Sequence, residues 1–119
     1  TIKNINLVSY EFNLIISSFI HTAGGNQAEK EKLHQRMMGI FCMKQPQRLI
    51  EKNKIIPKTL YATLKKLKSL SPMLKRSLMD VCGDIVFEDG IVQSAEYESL
   101  KLMSLLLSCP LPAMPVSDA

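Results

Sequence analysis

The stretch that decides the fold is residues 71–107, which read SPMLKRSLMDVCGDIVFEDGIVQSAEYESLKLMSLLL. Ser71 and Pro72 predict a helix start, because serine caps free backbone amides and proline at the first helical position loses no hydrogen bond. Apolar residues then recur along one helical face, namely Leu74, Leu78, Val81, Cys82 and Ile85. The pair Asp89–Gly90 predicts a turn that ends this helix.

A last helix is predicted from about Ser94 to Leu107, with Leu100 and Met103 facing inward beside Leu107. Cys109–Pro110 ends it. The tail from Pro110 to Ala119 contains three prolines and little to bury, which predicts a flexible segment. We therefore expect a single helical domain over residues 1–109 and a flexible tail over residues 110–119.

Three further helices are predicted upstream. The first runs from Ile5 to about Thr22, is apolar on more than one face, and ends at Gly24–Gly25. Asn26 and Glu29 form a capping-box pattern that opens a second helix. The apolar positions of that helix are Leu33, Met37, Ile40 and Phe41.

Between the second and third helices, Pro46 predicts a stop or a short turn that carries Leu49 and Ile50. From Lys58 the helical period returns, with Leu60, Leu64, Leu67 and Leu70 on one line. The chain is 46% hydrophobic and 22% charged, which indicates a real core. The sequence thus predicts an all-α compact bundle of five helices, or six with the short turn.

Charge is divided unevenly along the chain. Residues 44–76 carry ten basic groups against the single acid Glu51, whereas residues 77–119 carry seven acids against Lys101. Five basic residues flank the predicted corner between the third and fourth helices and are expected to form a patch for an anionic membrane surface: Lys65, Lys66, Lys68, Lys75 and Arg76. The alternative is that the acidic stripe of the fourth helix (Asp80, Asp84 and Glu88) neutralises them. Tyr61 is the block's only aromatic residue, which argues against nucleic-acid binding.

The sequence contains no recognisable catalytic set. There is no H-E-x-x-H, G-x-S-x-G, P-loop or dinucleotide motif. Cys42, Cys82 and Cys109 are widely spaced and are interpreted as small buried hydrophobes in a reducing compartment, while His21 and His34 do not complete a zinc set. We therefore expect a chain that is not an enzyme and that holds no cofactor of its own.

The turn at Asp89–Gly90 invites comparison with a calcium loop. Aligning Gly90 with the glycine of an EF-hand places Ile85 and Phe87 at positions that need oxygen ligands, so a working calcium site is not expected. Asp89 and Glu96 stay as weak candidates for a metal. The structural interpretation has Gly90 forming the turn, Val92 filling the core and Glu96 lying at the positive end of the last helix.

Residues 64–112 resemble the TerB-like, or tellurite-resistance-type, helical module. The residues that carry the resemblance are 70–82, then Phe87 to Val92, Glu96, and Cys109 to Pro112. The likeness is closest to the version at the C-terminus of bacterial HtpX-like membrane zinc metallopeptidases. The upstream stretch from Asn13 to Phe41 is similar to the part that precedes the module there. Gln93 stands where that pattern has a capping threonine, which leaves Gln93 or Ser94 as the cap of the last helix.

The resemblance implies a cytosolic regulatory or interaction domain joined to a zinc peptidase and tethered to the inner membrane through it. Zinc and proteolysis would belong to the parent protein, and the partner would be its protease domain or another protein. The chain starts at Thr1 and not at Met, which favours a piece of a longer protein. The alternatives are a free-standing TerB-like stress protein with weak metal binding, or a small nucleic-acid-binding bundle.

Overall fold

Five α-helices form the computed structural model, which describes residues 1–88 and 90–112. They are α1 (Ser9–Ala23), α2 (Gln27–Gly39), α3 (Pro57–Leu67), α4 (Pro72–Val86) and α5 (Ser94–Leu107). Two 3₁₀ turns lie at Ile5–Leu7 and Lys52–Lys54. Within the described residues, strand-like pairing is confined to one isolated parallel bridge between Ile2 and Leu70. The predicted all-α bundle is confirmed.

Helix α1 is the centre of the bundle and contacts each of the other four helices. Its apolar surface covers more than one face, so eight of its fifteen residues are buried. Phe12, Ile16 and Ile20 are completely shielded from solvent. A helix buried on this scale derives its stability from packing far more than from intrinsic propensity. No helix among the described residues has both the length and the apolar character needed to span a bilayer.

The helix starts follow the predicted capping chemistry. Asn26 Oδ1 accepts the Glu29 N–H at 2.8 Å, and Glu29 Oε1 accepts the Asn26 N–H at 3.1 Å, which completes a capping box. Ser71 Oγ accepts the Leu74 N–H at 3.3 Å. Helix α1 ends at its C-terminus with Gly24, which adopts a φ of +88° that glycine reaches without the steric cost of a Cβ atom.

Of the two alternatives predicted at Pro46, a stop or a short helical turn, the connector between α2 and α3 does not form the turn. No helical turn forms at Leu49 and Ile50, where the chain has no regular secondary structure, and the 3₁₀ turn comes later at Lys52–Lys54. Helix α2 ends at Gly39, so Ile40 lies beyond its apolar face and is 55% exposed. Cys42 is also exposed, which corrects the expectation that all three cysteines are buried.

The packed part of the chain extends past the predicted boundary at Cys109. Leu111 packs against the core and Pro112 is buried. Pro112 lies so close to α4 that a Cβ atom added at Gly83 would meet its Cγ at 2.8 Å. Residues 110–112 therefore belong to the folded unit, and the rest of the predicted tail, residues 113–119, lies outside the described residues.

Candidate functional site

An apolar groove lies between α3 and α5, with α1 as its floor, and has a volume of about 260 Å³. Its lining residues are Ile15, Ser18 and Phe19 from α1, Pro57, Leu60, Tyr61 and Leu64 from α3, and Ser99, Leu102, Met103 and Leu106 from α5. Two serine hydroxyls and one tyrosine are the polar side chains in this set. Such a surface is suited to an apolar ligand or to the apolar face of a partner.

The two walls of this groove have the spacing of helix faces. On α5 the wall residues Ser99, Leu102, Met103 and Leu106 follow the i, i+3, i+4, i+7 pattern, and Pro57 to Leu64 repeat it on α3. Seven residues of helix rise about 10 Å, which is roughly two helical turns. The groove is thus long enough to hold about two turns of a partner helix.

Large apolar side chains stay exposed along the rim. Leu102 is 52% exposed and Tyr61 is 51% exposed. Leu105 also lies on α5 and is 76% exposed, but it does not line the groove. A cluster of half-exposed apolar residues beside a groove is more informative than one exposed leucine, because single exposed apolar residues are common on any protein surface.

The α3 rim of the groove is basic. Lys58 and Lys65 lie three residues before and four residues after Tyr61, so all three share one helical stripe. The Lys65 ammonium lies 5.5 Å from the centre of the Tyr61 ring, within the range of a cation–π contact. On the α5 side, Glu98 and Lys101 form an ion pair at 3.6 Å. The uncompensated positive charge therefore lies along α3.

The turn between α4 and α5 follows the sequence prediction in part. Gly90 has a φ of +76°, as its position in the turn requires. Val92 is 37% exposed and does not fill the core, which corrects that expectation; it lies in the link between α4 and α5, outside both helices. Asp89 lies outside the described residues.

Glu96 is 2% exposed and caps α5. Its Oε1 accepts the Gln93 N–H at 3.3 Å, so Gln93 is the cap residue, and the carboxylate lies at the positive end of the helix dipole. Across residues 1–88 and 90–112, histidine, cysteine and acidic side chains form no group of three that could hold a metal ion.

The five basic residues predicted to form an anionic-surface patch have different surroundings. Lys66 pairs with Glu11 of α1 at 3.4 Å, and Arg76 pairs with Asp80 of its own helix at 3.5 Å. Lys65 lies over Tyr61, Lys68 is exposed at the end of α3, and Lys75 is half-buried. Exposed ion pairs of this kind contribute about 1 kcal/mol or less to stability.

The acidic stripe of α4 is partly compensated by a neighbouring helix. Arg36 of α2 pairs with Glu88 at 2.6 Å, and Asp80 pairs with Arg76. Among the described residues, the lysines of α3 form no ion pair with this stripe. Compensation of the stripe by basic residues thus occurs, but through α2 and α4 itself.

A buried polar network that the sequence interpretation missed ties the connector to the bundle. Asn13, Ser17 and His21 lie at i, i+4 and i+8 on the otherwise apolar helix α1. Asn13 Nδ2 donates to the Arg48 carbonyl at 2.8 Å, and the Ile50 N–H donates to Ser17 Oγ at 3.2 Å. The sequence contained a signal for this network. Three polar residues spaced four apart on an otherwise apolar helix lie on one face, and buried polar side chains need hydrogen-bond partners such as a nearby backbone segment.

Two of the buried titratable groups, His34 and Cys82, are uncharged near neutral pH. Burial, with a smaller contribution from nearby His21, lowers the pKa of His34 to about 4. Burial raises the pKa of the Cys82 thiol well above its usual range. His34 is therefore a neutral imidazole and Cys82 an unreactive thiol at pH 7.

Comparisons of the chain with protein-family models, with curated proteins and with solved structures give no match.

Proposed function

We propose that this chain is a non-catalytic interaction module that binds the apolar face of a partner helix in the groove between α3 and α5. The observation that supports the proposal is the groove itself, with apolar walls at helical spacing and with Leu102 and Tyr61 half-exposed at its rim. Docking of an amphipathic helix into an apolar groove is a common mode of peptide recognition.

The charge of the α3 rim supports an acidic partner. Lys58 and Lys65 flank Tyr61, so an approaching helix with Asp or Glu beside its apolar stripe meets complementary charge. Complementary rim charges mainly speed association and select partners, while the apolar residues supply most of the binding free energy.

The proposal fits the resemblance to the TerB-like module of HtpX-like peptidases. In that interpretation the partner helix belongs to the protease domain of the same polypeptide or to another protein. The module would then lie at the cytosolic face of the inner membrane, and zinc and peptide hydrolysis would belong to the parent protein. An upstream H-E-x-x-H helix and apolar spans in the full-length gene are the features that this interpretation requires.

The experiment is a selection of 16-residue peptides from a random displayed library against the purified chain. Enriched peptides should carry apolar residues at i, i+3 or i+4, and i+7, together with acidic residues. Leu102→Glu should weaken their binding at least tenfold, because it places a carboxylate in the groove. Leu105→Glu is the matched control, since Leu105 lies on the same helix outside the groove and should bind as the wild type does.

Two outcomes would contradict the proposed function. One is a selection that enriches no peptides. The other is a set of enriched peptides whose affinity is the same for Leu102→Glu and for the wild type. Circular dichroism of both variants shows whether the bundle stays folded, which is expected because each leucine is already more than half exposed.

A further inference from the structure

A second, polar cleft lies between α2 and the connector and shares no lining residue with the apolar groove. Its volume is about 510 Å³. Gln27, Glu31 and Gln35 line it from α2, and Arg48 and Glu51 line it from the connector. His34 also lines it, although this side chain is only 3% exposed.

The hydrogen bonds around His34 fix which ring nitrogen carries the proton. Asn13 Nδ2 donates to the Arg48 carbonyl, so Asn13 Oδ1 is an acceptor. That oxygen lies 2.6 Å from His34 Nε2 and also accepts the Ser17 hydroxyl at 3.0 Å. His34 Nε2 must therefore be the donor. In the neutral ring this leaves Nδ1 as a hydrogen-bond acceptor.

The acceptor Nδ1 is available to a ligand. Among the described residues, Nδ1 of His34 has no hydrogen-bond partner, and no fully buried side-chain nitrogen or oxygen is left unsatisfied. Because Nδ1 lacks a partner and every fully buried polar atom has one, Nδ1 must keep some contact with solvent. The cleft that His34 lines is the open space beside it. The low pKa of His34 keeps this nitrogen unprotonated at neutral pH.

The charged groups on the walls select the ligand chemistry. Glu31 accepts the Gln27 side-chain amide at 3.0 Å, and no basic side chain of the described residues forms an ion pair with Glu31 or Glu51. A cleft lined by a neutral nitrogen acceptor and two carboxylates matches a cationic N–H donor, and an ammonium group offers three such hydrogens.

We propose that this cleft binds a small primary-ammonium compound, which donates one N–H to His34 Nδ1 and has its charge balanced by Glu31 and Glu51. Arg48, on the connector side, provides a site for a carboxylate if the ligand is an amino acid. The ammonium group could come from a simple diamine or from a free amino acid, and only the amino acid has a carboxylate for Arg48 to bind.

The test is a titration of the full chain, labelled with ¹⁵N-histidine, with putrescine and separately with L-lysine. A two-bond ¹⁵N–¹H spectrum reports each histidine nitrogen. We expect a saturable shift of His34 Nδ1 with at least one of the two amines. Tighter binding of lysine than of putrescine assigns the amino-acid source, and equal or weaker binding assigns the diamine. In calorimetry, a Glu31→Gln and Glu51→Gln double variant should bind at least fivefold more weakly, and Glu98→Gln, whose residue lies on α5 outside the cleft, should be unchanged.

Three results would overturn the proposal. The first is that neither amine shifts Nδ1 in a saturable way at millimolar concentrations, which would mean that water alone occupies the site. The second is that 1,4-butanediol, a neutral analogue of similar length, binds as tightly as putrescine. The third is unchanged amine affinity in the Glu31→Gln and Glu51→Gln variant. A failure here leaves the apolar groove untouched, because the two sites share no residue.

Discussion

His34 is almost completely buried as a neutral ring that carries its proton on Nε2. Acid should therefore destabilise the bundle, because a second proton would place a charge in the interior. The folded state lowers its pKa from 6.5 to about 4, so the unfolded chain binds the proton more readily. The contribution of His34 to the free energy of unfolding is therefore complete above about pH 6.5. It is lost as the pH falls towards 4, by about 3 kcal/mol in total, and His34 causes little further loss below that pH.

Urea denaturation between pH 7 and pH 4 measures this effect. Carboxylates also titrate at the lower end of the range, so the informative quantity is the difference between the wild type and His34→Gln. The variant should lose most of the pH dependence between 6.5 and 4.5. Parallel stability profiles for the two proteins would show that His34 is not buried as a neutral ring.

Gly90 and Gly39 form a matched pair that isolates backbone strain. A Cβ atom at either position would meet no atom within 4 Å, but only Gly90 has a positive φ, at +76°. Gly90→Ala should therefore lower the free energy of unfolding by about 1 kcal/mol. Gly39→Ala, at the last residue of α2, should be neutral or slightly stabilising. Equal effects in thermal denaturation would contradict the turn geometry between α4 and α5.

Gly83 is constrained by a neighbour and not by its backbone. An added Cβ atom would lie 2.8 Å from Pro112 Cγ, closer than atoms in a packed core approach. Gly83→Ala should destabilise the protein by about 1–3 kcal/mol, as overpacked cores do. Adding Pro112→Ala should recover part of this loss in a double-mutant cycle. An additive cycle would mean that residues 110–112 do not pack on α4.

At the scale of elements, the connector between α2 and α3 is held by side chains of α1 and not by a helix of its own. Ser17 Oγ accepts the Ile50 N–H at 3.2 Å, and His21 Nε2 donates to the Ile50 carbonyl at 2.7 Å, with Lys30 Nζ donating to His21 Nδ1 at 3.3 Å. The irregular backbone of the connector thus satisfies its polar groups on a helix surface, as a buried or half-buried segment must.

Ser17→Ala should release one end of this connector. It leaves the Ile50 N–H without its acceptor, so we expect a loss of about 1 kcal/mol in stability and faster hydrogen exchange at the Ile50 amide. Thr22→Ala is the control, because the Thr22 hydroxyl bonds only to its own helix, at the Ser18 carbonyl. Unchanged exchange at Ile50 in Ser17→Ala would contradict the network.

The elements that could be predicted from the sequence are those whose signals are local. Asn26, Ser71 and Gly24 mark helix ends through capping bonds and backbone conformation within a few residues, and the structure has those ends. The sequence left the short turn at Leu49 and Ile50 open, and it does not form because the backbone there bonds to Asn13 and Ser17, more than thirty residues away. The expected burial of Val92 was wrong for a similar reason, because the exposure of this side chain depends on how the turn between α4 and α5 lies against the bundle.

The candidate sites show the same division between local and long-range information. The stripe on α5 that lines the groove is visible in the sequence, but its pairing with α3 over α1 exists only in the fold. The charge excess in residues 44–76 was visible too. The fold adds that Lys66 pairs with α1 while Lys65 lies over Tyr61 at the groove.

At the scale of the whole molecule, α1 serves both candidate sites from the centre of the bundle. One of its faces, with Ile15 and Phe19, is the floor of the apolar groove. Another, with Asn13 and Ser17, positions the connector and His34 at the polar cleft. A single buried helix thus supports an apolar binding surface and a polar one that share no lining residue.

A methyl-labelled NMR titration of the chain with the tightest peptide from the selection tests whether the groove between α3 and α5 is the docking site. We expect saturable shifts concentrated on four methyl-bearing residues around the groove, Ile15, Leu64, Leu102 and Leu106. The methyl groups of Leu105, which lie outside the groove, should shift far less. Shifts centred on any other surface, with the groove methyl groups unaffected, would contradict the assignment of the groove as the docking site.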